Sequence, residues 1–330
     1  MRLLVRLPNW VGDVCMALPA LSALEAAGFR PVPAGRGWAV DLLAAHGWPT
    51  VALPRGLREA SGLLRGLQCR HGLLLTNSLS SAAVFRLAGV AALGHRGDAR
   101  SLLLGRAIAR PAGLHEVAVF WRLARELAAW LGVTDPAVPG APPDRPGRST
   151  TPWPDAPPDR LGLRTTAAHE AAAAAALAAA LPAPGVGFIV LAPLAAGSTR
   201  GASKRWPGFA ELADRLAGRG LATVCCPGPG EEGEARAALP GTTLLPGLGL
   251  GAYASVCRGA RLTVANDSGP MHLAAAVGAP VLGVFGPGAP ARHRPWSPAA
   301  RWLGGDGRWP APAEVARTAI EMIDGAARDR

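Results

Sequence analysis

Short apolar runs of four to six residues recur along the chain, and between them lie stretches whose apolar positions repeat every three or four residues. In the first half this pattern predicts strands over residues 2–7, 30–33, 50–53, 72–75 and 91–94. Helices are predicted over 14–27, 39–45, 57–65 and 81–88, with a longer one over 114–131. Strict alternation of the two kinds points to a parallel, doubly wound α/β sheet. Residues 135–159 are too rich in proline for the interior of any element, so the domain linker is expected there. An alanine run over 167–181 reads as a helix by propensity. A second alternating series follows, with strands over 187–191, 222–227, 243–245 and 262–265 and helices over 208–219 and 252–257. The sum is two Rossmann-like domains, 1–150 and 151–312, and a last helix in 313–330 that can fold back over the first half.

Residues 262–287, LTVANDSGPMHLAAAVGAPVLGVFGP, compress strand, tight polar loop, helix and strand into one stretch. Asn266, Asp267, Ser268 and Gly269 turn the chain and supply capping side chains, and Pro270 suits the first helical position, where a missing N–H costs nothing. Gly278 and Pro280 end the helix. Its unpaired amides and positive dipole end form an anion site, which Gly269 opens to close approach by a phosphate. His272 lies in the first turn, within reach of the same anion. The plain alternative is a capped helix with a surface histidine.

Composition narrows the chemistry. At 330 residues the chain has room for two cores. Its formal charge is +11, yet Lys204 is the only lysine and every other strong base is arginine, which marks a place where a compact ammonium is needed. Five cysteines form no CxxC and no metal spacing, and read as small buried residues of a reducing compartment. The N-terminal apolar run is broken by Pro8, Asn9 and Asp13, which argues against a signal peptide. No later run is long enough to span a bilayer. The expected place is the cytoplasm, with room for peripheral contact with the inner face of the membrane. Without lysine clusters or interleaved aromatics, the basic balance is weak evidence for nucleic acid, and an acidic substrate or an anionic membrane surface explains it as well; no nucleic-acid partner is expected.

Several residues can carry chemistry. Asp13 follows the first strand and precedes a helix, with Gly12 giving the backbone room to turn. It reads either as a helix cap or as a general base at the carboxyl edge of the sheet. The polar loop Ser198 to Pro207 delivers hydroxyls and then Lys204 towards the equivalent edge of the second sheet, an arrangement suited to a diphosphate leaving group. Gly228, Gly230 and Gly233 match GxGxxG after a strand, but Glu231 and Glu232 put negative charge where a pyrophosphate needs positive potential. Dinucleotide binding is therefore refused. A glutamate there can instead accept the hydroxyls of a nucleotide ribose. There is no Asp-x-Asp and no pair of histidines to bind a metal, and no GxSxG or Cys–His arrangement for a nucleophile. Neutralising a diphosphate falls to Lys204, the helix start at Ser268 to His272, and backbone amides.

Taken together, Trp10-Val11-Gly12-Asp13, the run from Gly94 to Arg106, His115-Glu116, Ser203-Lys204-Arg205-Trp206-Pro207, Asn266-Asp267-Ser268-Gly269 with His272, and Phe285-Gly286-Pro287 resemble glycosyltransferase family 9, the bacterial heptosyltransferases of lipopolysaccharide core assembly. The resemblance implies a GT-B architecture, two Rossmann-like domains facing each other across a cleft, with acceptor on the N-terminal domain and an ADP-sugar donor on the C-terminal one. It implies metal-independent, inverting transfer of a heptose or related sugar to a lipopolysaccharide-core or other cell-envelope glycan, with no cofactor. Carried over by motif, Asp13 is the base. Ser198, Thr199 and Lys204 hold the diphosphate, and Asp267, Ser268, Gly269 and His272 complete the donor site. Glu231 binds the ribose and Leu248 lies against the adenine. The loop from 195 to 204 is about one residue longer than in some relatives, which leaves open which of Ser198, Thr199 and Ser203 meets phosphate. Arg96, Arg100 and Arg106 are expected to meet an anionic acceptor. A nucleotide-sugar epimerase and a non-catalytic nucleotide-sugar or polyanion binding protein are the competing classes.

Overall fold

The computed structural model describes residues 1–133, 153–181, 186–199, 201–219 and 221–328. The chain divides into two compact units, Met1–Pro158 and Asp159–Arg330.

In the first unit the order of elements is β1 (Arg2–Arg6), α1 (Val11–Ala26), β2 (Arg30–Gly35), α2 (Trp38–Leu42), β3 (Val51–Ala52), α3 (Leu57–Gly66), β4 (His71–Leu74), α4 (Leu79–Leu87), β5 (Ala91–His95), β6 (Arg106–Ile108) and α5 (Glu116–Trp130). All strands pair in parallel, in the order β3-β2-β1-β4-β5-β6. Leu3, Leu4 and Val5 of β1 are fully buried, the continuous apolar run that a strand needs when helices cover both faces of its sheet. One face is closed by α1 packed on α5, where Leu18, Leu21, Leu24 and Leu123 lose all exposure. On the other face Leu64 of α3 and Phe85 of α4 join Leu4, Val32 and Leu74. Gly72 makes that packing possible, since a Cβ there would lie 2.8 Å from the Phe85 ring. The edge strand β6 falls inside the arginine-studded stretch after β5, where no strand was expected. Three residues beginning with an exposed arginine leave no periodicity to read.

Of the proline-rich stretch, residues 134–152 lie outside the described residues. Its later part packs on the first unit: Trp121 Nε1 donates to the Pro154 carbonyl at 3.0 Å, and the Trp121 and Trp153 rings lie 5.4 Å apart.

The second unit runs α6 (Ala167–Ala180), β7 (Phe188–Ala192), β8 (Ser198–Thr199), β9 (Ala202–Ser203), α7 (Phe209–Ala217), β10 (Ala222–Cys225), α8 (Glu232–Ala238), β11 (Thr243–Leu244), α9 (Leu250–Gly259), β12 (Leu262–Asn266), α10 (Gly269–Ala276), β13 (Val281–Phe285), α11 (Pro290–His293), β14 (Ala300–Gly304) and α12 (Pro312–Arg328). Its parallel sheet has the order β11-β10-β7-β12-β13-β14, the same winding as the first. The hairpin β8-β9 stands apart from it. The final helix, expected over the first half, buries its apolar stripe in the second. Val315, Ala316, Ala319 and Ile323 join Leu212 and Leu216 of α7 and Val264 of β12 in one core.

Val315 has no solvent exposure, and a carboxylate in its place would be charged inside that core. Val315→Asp is expected to destabilise the second unit by about 3 kcal/mol or more, read as a lower urea midpoint. An unchanged midpoint would mean that α12 does not anchor this core.

Candidate functional site

In a doubly wound sheet the chain leaves two central strands in opposite directions, and the opening between their exits is where ligands bind. In the second unit those strands are β7 and β12, paired in parallel with Ala192 opposite Ala265. One residue further on, Asn266 reaches over to the neighbouring exit: its Nδ2 donates to the Pro193 carbonyl at 2.6 Å. Its Oδ1 accepts the Trp206 N–H at 3.0 Å, and the side chain is fully buried. The Trp206 indole donates to the Pro310 carbonyl at 3.1 Å and packs edge-on against Phe209. This fixes the far end of the loop that begins at Pro193, and Lys204 sits two residues before the fixed point. Its Nζ meets Asp267 Oδ2 at 2.9 Å, and the Asp267 carbonyl at 3.4 Å. The carboxylate is 7% exposed and the lysine 22%, so the pair is shielded but not sealed.

Asp267 is confined from a third side at Gly288, just past the Phe285-Gly286-Pro287 motif, a residue that sequence reading did not single out. A Cβ at Gly288 would lie 2.6 Å from Asp267 Oδ2, so only glycine lets the chain after β13 pass the carboxylate. That segment is held by a tight turn: Asp306 N–H donates to the Gly288 carbonyl at 3.1 Å and Gly307 N–H to the Gly286 carbonyl at 2.9 Å. Asp306 adopts φ +53°, a left-handed conformation flanked by glycines that adopt it more easily. The signal available in the sequence was the density of glycines at 286, 288, 304, 305 and 307.

The loop Asp267–Gly269 forms as expected, with small differences. Helix α10 starts at Gly269, one residue before Pro270, and Ser268 is its N-cap. Yet the Ser268 hydroxyl makes no capping bond and turns back to the Asn266 carbonyl at 3.3 Å, so the N-cap side chain leaves the first-turn amides to other partners. His272 is 4% exposed, which removes the surface-histidine reading. Ser198 and Thr199 lie on β8, facing Ser203 and Ala202 across a turn at Gly201. The Ser203 hydroxyl accepts the Arg205 N–H at 3.2 Å. Glu231 caps the end of the loop after β10, its Oε2 taking the Gly228 N–H at 2.9 Å, and Leu248 is half-buried in the loop after β11. In strand order the carboxyl edge therefore presents Leu248, Glu231, Lys204 with the β8-β9 hairpin, and the Asp267–Gly269 helix start. Three strand spacings separate the first from the last, about 14 Å.

In the first unit the corresponding central strands are β1 and β4. Asp13 is the third residue of α1 and half-buried; the N-cap is Trp10, so the capping alternative for Asp13 does not describe it. Its carboxylate still lies at the positive end of the helix. Arg96, Arg100 and Arg106 do not assemble. Arg96 is exposed, and Arg106 pairs with Glu126 at 3.7 Å from the start of β6. Arg100 is 3% exposed, donating to the Thr76 carbonyl at 2.9 Å and Asn77 Oδ1 at 3.2 Å. Beside it, burial and then the Arg110 and Arg100 charges push His95 down to about 4, so it is neutral at pH 7. A different arginine group, missed in the sequence because its members come from three strand exits, lines a cavity of about 470 Å³. Arg6, Arg36 and Arg55 share it with Asn9, Ser80 and Ser81, and its lining holds no carboxylate. Burial, then the Arg36 charge, lowers the pKa of Arg6. Among the described residues no group of three or more His, Cys, Asp or Glu is placed to hold a metal ion.

Comparison with known proteins gives three results. The model of "Glycosyltransferase family 9 (heptosyltransferase)" matches residues 63–323. "Lipopolysaccharide heptosyltransferase 1" of Pseudomonas aeruginosa is 40% identical over 94 residues, a match that spans 27% of this chain and about a quarter (26%) of that relative's length. Among solved structures, E. coli ADP-heptose lps heptosyltransferase II is 24% identical with a TM-score of 0.76, over 99% of this chain and all (100%) of that one. E. coli heptosyltransferase WaaC with ADP is 21% identical with a TM-score of 0.71, over 98% of this chain and 100% of that one. These structural likenesses identify the fold as GT-B.

Removing the Asn266 amide strands the buried Trp206 N–H and Pro193 carbonyl. Asn266→Ala is expected to cost about 2–4 kcal/mol in urea unfolding of the second unit. A midpoint equal to that of the unaltered protein would show that the amide is not the brace.

Proposed function

The chain belongs to glycosyltransferase family 9, and we propose that it is an inverting, metal-independent transferase that moves a heptose or related sugar from an ADP-sugar to an anionic lipopolysaccharide-core or other cell-envelope glycan. The observation that carries this reading is the Lys204–Asp267 pair at the start of α10, at the switch point of the second sheet. Leu248, Glu231, Lys204 and the Asp267–Gly269 helix start follow one another along that edge over about 14 Å, the scale of an extended nucleoside diphosphate. In this reading Leu248 lies against the adenine. The Glu231 carboxylate has acceptor capacity for ribose hydroxyls beside the Gly228 amide. Lys204, the Ser198 and Thr199 hydroxyls and the first-turn amides of α10 receive the diphosphate, with Asp267, Ser268, Gly269 and His272 shaping the turn.

The chemistry needs no more than these groups supply. As the bond between the anomeric carbon and the diphosphate oxygen lengthens, negative charge grows on the leaving group. A fixed ammonium and aligned amides stabilise it more in the transition state than in the ground state. Asp267 holds Lys204 in place meanwhile, so its position costs no reorganisation during the reaction. On the acceptor side Asp13 takes the proton of the attacking hydroxyl, whose oxygen forms the new bond on the face opposite the departing diphosphate, inverting the anomeric centre.

The acceptor's anionic character is supported by the arginine cavity rather than by the set Arg96, Arg100 and Arg106. Arg6 is near Arg36 and, among the described residues, bonds neutral partners, Asn9 Oδ1 at 2.8 Å and the Leu7 carbonyl, and the cavity lining offers no carboxylate to offset the like charges, so an anion that enters is favoured. No helix among the described residues is long and apolar enough to cross a membrane. The proposed place is the cytoplasm, with the glycolipid acceptor met at the inner membrane surface.

The test is ADP release from ADP-heptose in the presence of EDTA, with and without inner-core lipopolysaccharide lacking heptose. Release should depend on acceptor, survive EDTA, and fall about a thousandfold in Asp13→Asn with ADP affinity retained. Release without acceptor would point to hydrolysis or epimerisation, and binding without turnover to a non-catalytic protein. In the same assay, reversing both Arg36 and Arg55 to glutamate should raise the acceptor KM at least tenfold. A KM that does not move would remove the cavity from the acceptor site.

A further inference from the structure

Trp10 occupies a position its own fold does not explain. It is the N-cap of α1, with extended backbone at φ −112° and ψ 141°, and its side chain makes no capping bond. That place ordinarily goes to Ser, Thr, Asp or Asn, whose oxygen accepts a first-turn amide, and an indole forgoes that stabilisation. It also leaves a large apolar surface in water, since Trp10 is 62% exposed. Nor is this indole carried on a loose loop. Leu7 N–H donates to the Ala34 carbonyl at 3.0 Å and Val14 N–H to the Trp10 carbonyl at 3.1 Å. Between them Arg6 grips the Leu7 carbonyl and Asn9 Oδ1. A residue that breaks two local preferences and is nonetheless held firmly is characteristic of a binding surface.

Its surroundings say what it binds. Asp13 lies three positions further on in the same first turn, and residues at that spacing share one side of a helix start. Leu79, the first residue of α4 on the exit of the adjacent strand β4, is 52% exposed and adds a second apolar side chain at this edge. Asn9, the preceding residue, lines the arginine cavity. Aromatic surface, carboxylate and cation cavity thus follow one another within one strand exit. A pyranose ring matches that sequence of chemistry: one face of C–H groups, hydroxyls at its rim, and, in acidic sugars, a carboxylate or phosphate substituent.

We propose that the Trp10 indole is the platform on which the acceptor's sugar ring lies, C–H face against the ring system, with the reacting hydroxyl turned to Asp13. An indole suits this role because it offers a large rigid area with only two side-chain torsions to fix. The proposal rests on the transferase reading above and adds to it the residue that orients the acceptor.

Transfer from ADP-heptose to heptose-less inner-core lipopolysaccharide is measured for the wild type and for Trp10→Ala, Trp10→Leu and Trp10→Phe. Trp10→Ala and Trp10→Leu are expected to raise the acceptor KM at least tenfold with kcat within threefold, whereas Trp10→Phe stays within threefold of the wild type in both. Equal far-UV circular dichroism and urea midpoints in all four proteins verify that each is folded, and equal calorimetric ADP affinity verifies that the donor site is unchanged. Adding the acceptor should change tryptophan emission in the wild type, and most of that change should be missing in Trp10→Phe. A wild type that transfers, beside a Trp10→Ala protein with unmoved acceptor KM, overturns the platform and leaves the transferase reading intact. A Trp10→Leu protein with wild-type KM overturns aromatic stacking in the same way. A wild type that fails to transfer overturns the transferase reading and the platform with it.

Discussion

Asn266 ends a fully buried strand with a neutral carboxamide that has no exposure to solvent, and both ends of that amide are used. Parallel strands exchange no hydrogen bonds beyond their last paired residue, so the exits of β7 and β12 would otherwise diverge freely. The carboxamide ties them and adds the Trp206 backbone as a third partner. From this knot the rest of the donor edge follows. Lys204 is two residues from a fixed backbone atom, Asp267 is the next residue after the carboxamide, and the two meet although 63 positions separate them. Gly288 and the turn from Gly304 to Gly307 then close the remaining side of the carboxylate.

The two units treat charge in opposite ways. In the second, the one lysine is neutralised by a shielded carboxylate and the pair keeps its geometry by mutual attraction. In the first, Arg6 is held by neutral carbonyl and carboxamide oxygens beside the like charge of Arg36, in a cavity whose lining holds no carboxylate. The first arrangement favours a position, the second favours an anion. A site that must stabilise developing charge needs the former, and a site that must select an anionic molecule needs the latter.

Much of this was legible in the sequence because it depends on local order. Strand and helix alternation set both sheets, and the 262–287 stretch gave β12 and α10 within a residue or so, with a further strand after them. What escaped notice depends on partners distant in the chain. The arginine cavity draws Arg6, Arg36 and Arg55 from three strand exits, and no spacing rule joins them. Arg100 was expected to face an acceptor, yet its two terminal nitrogens are engaged by Asn77 and the Thr76 carbonyl, because buried guanidinium donors take the oxygens within reach. The strands β6 and β14 were missed for a different reason: short, half-exposed edge strands carry arginines and small residues that look like loop. Asn266 stood inside a recognised motif, but its role was hidden until the register set it opposite Pro193.

Lys204 has one consequence of a different kind. Every other strong base is an arginine, so the chain offers amine-directed reagents a single side chain besides its α-amino group. That side chain is partly screened, and its Nζ is engaged in the ion pair with Asp267. Covalent labelling of this protein is therefore close to single-residue chemistry by composition alone. The extent of modification reports on one ion pair, read in a mass spectrum without any engineered probe.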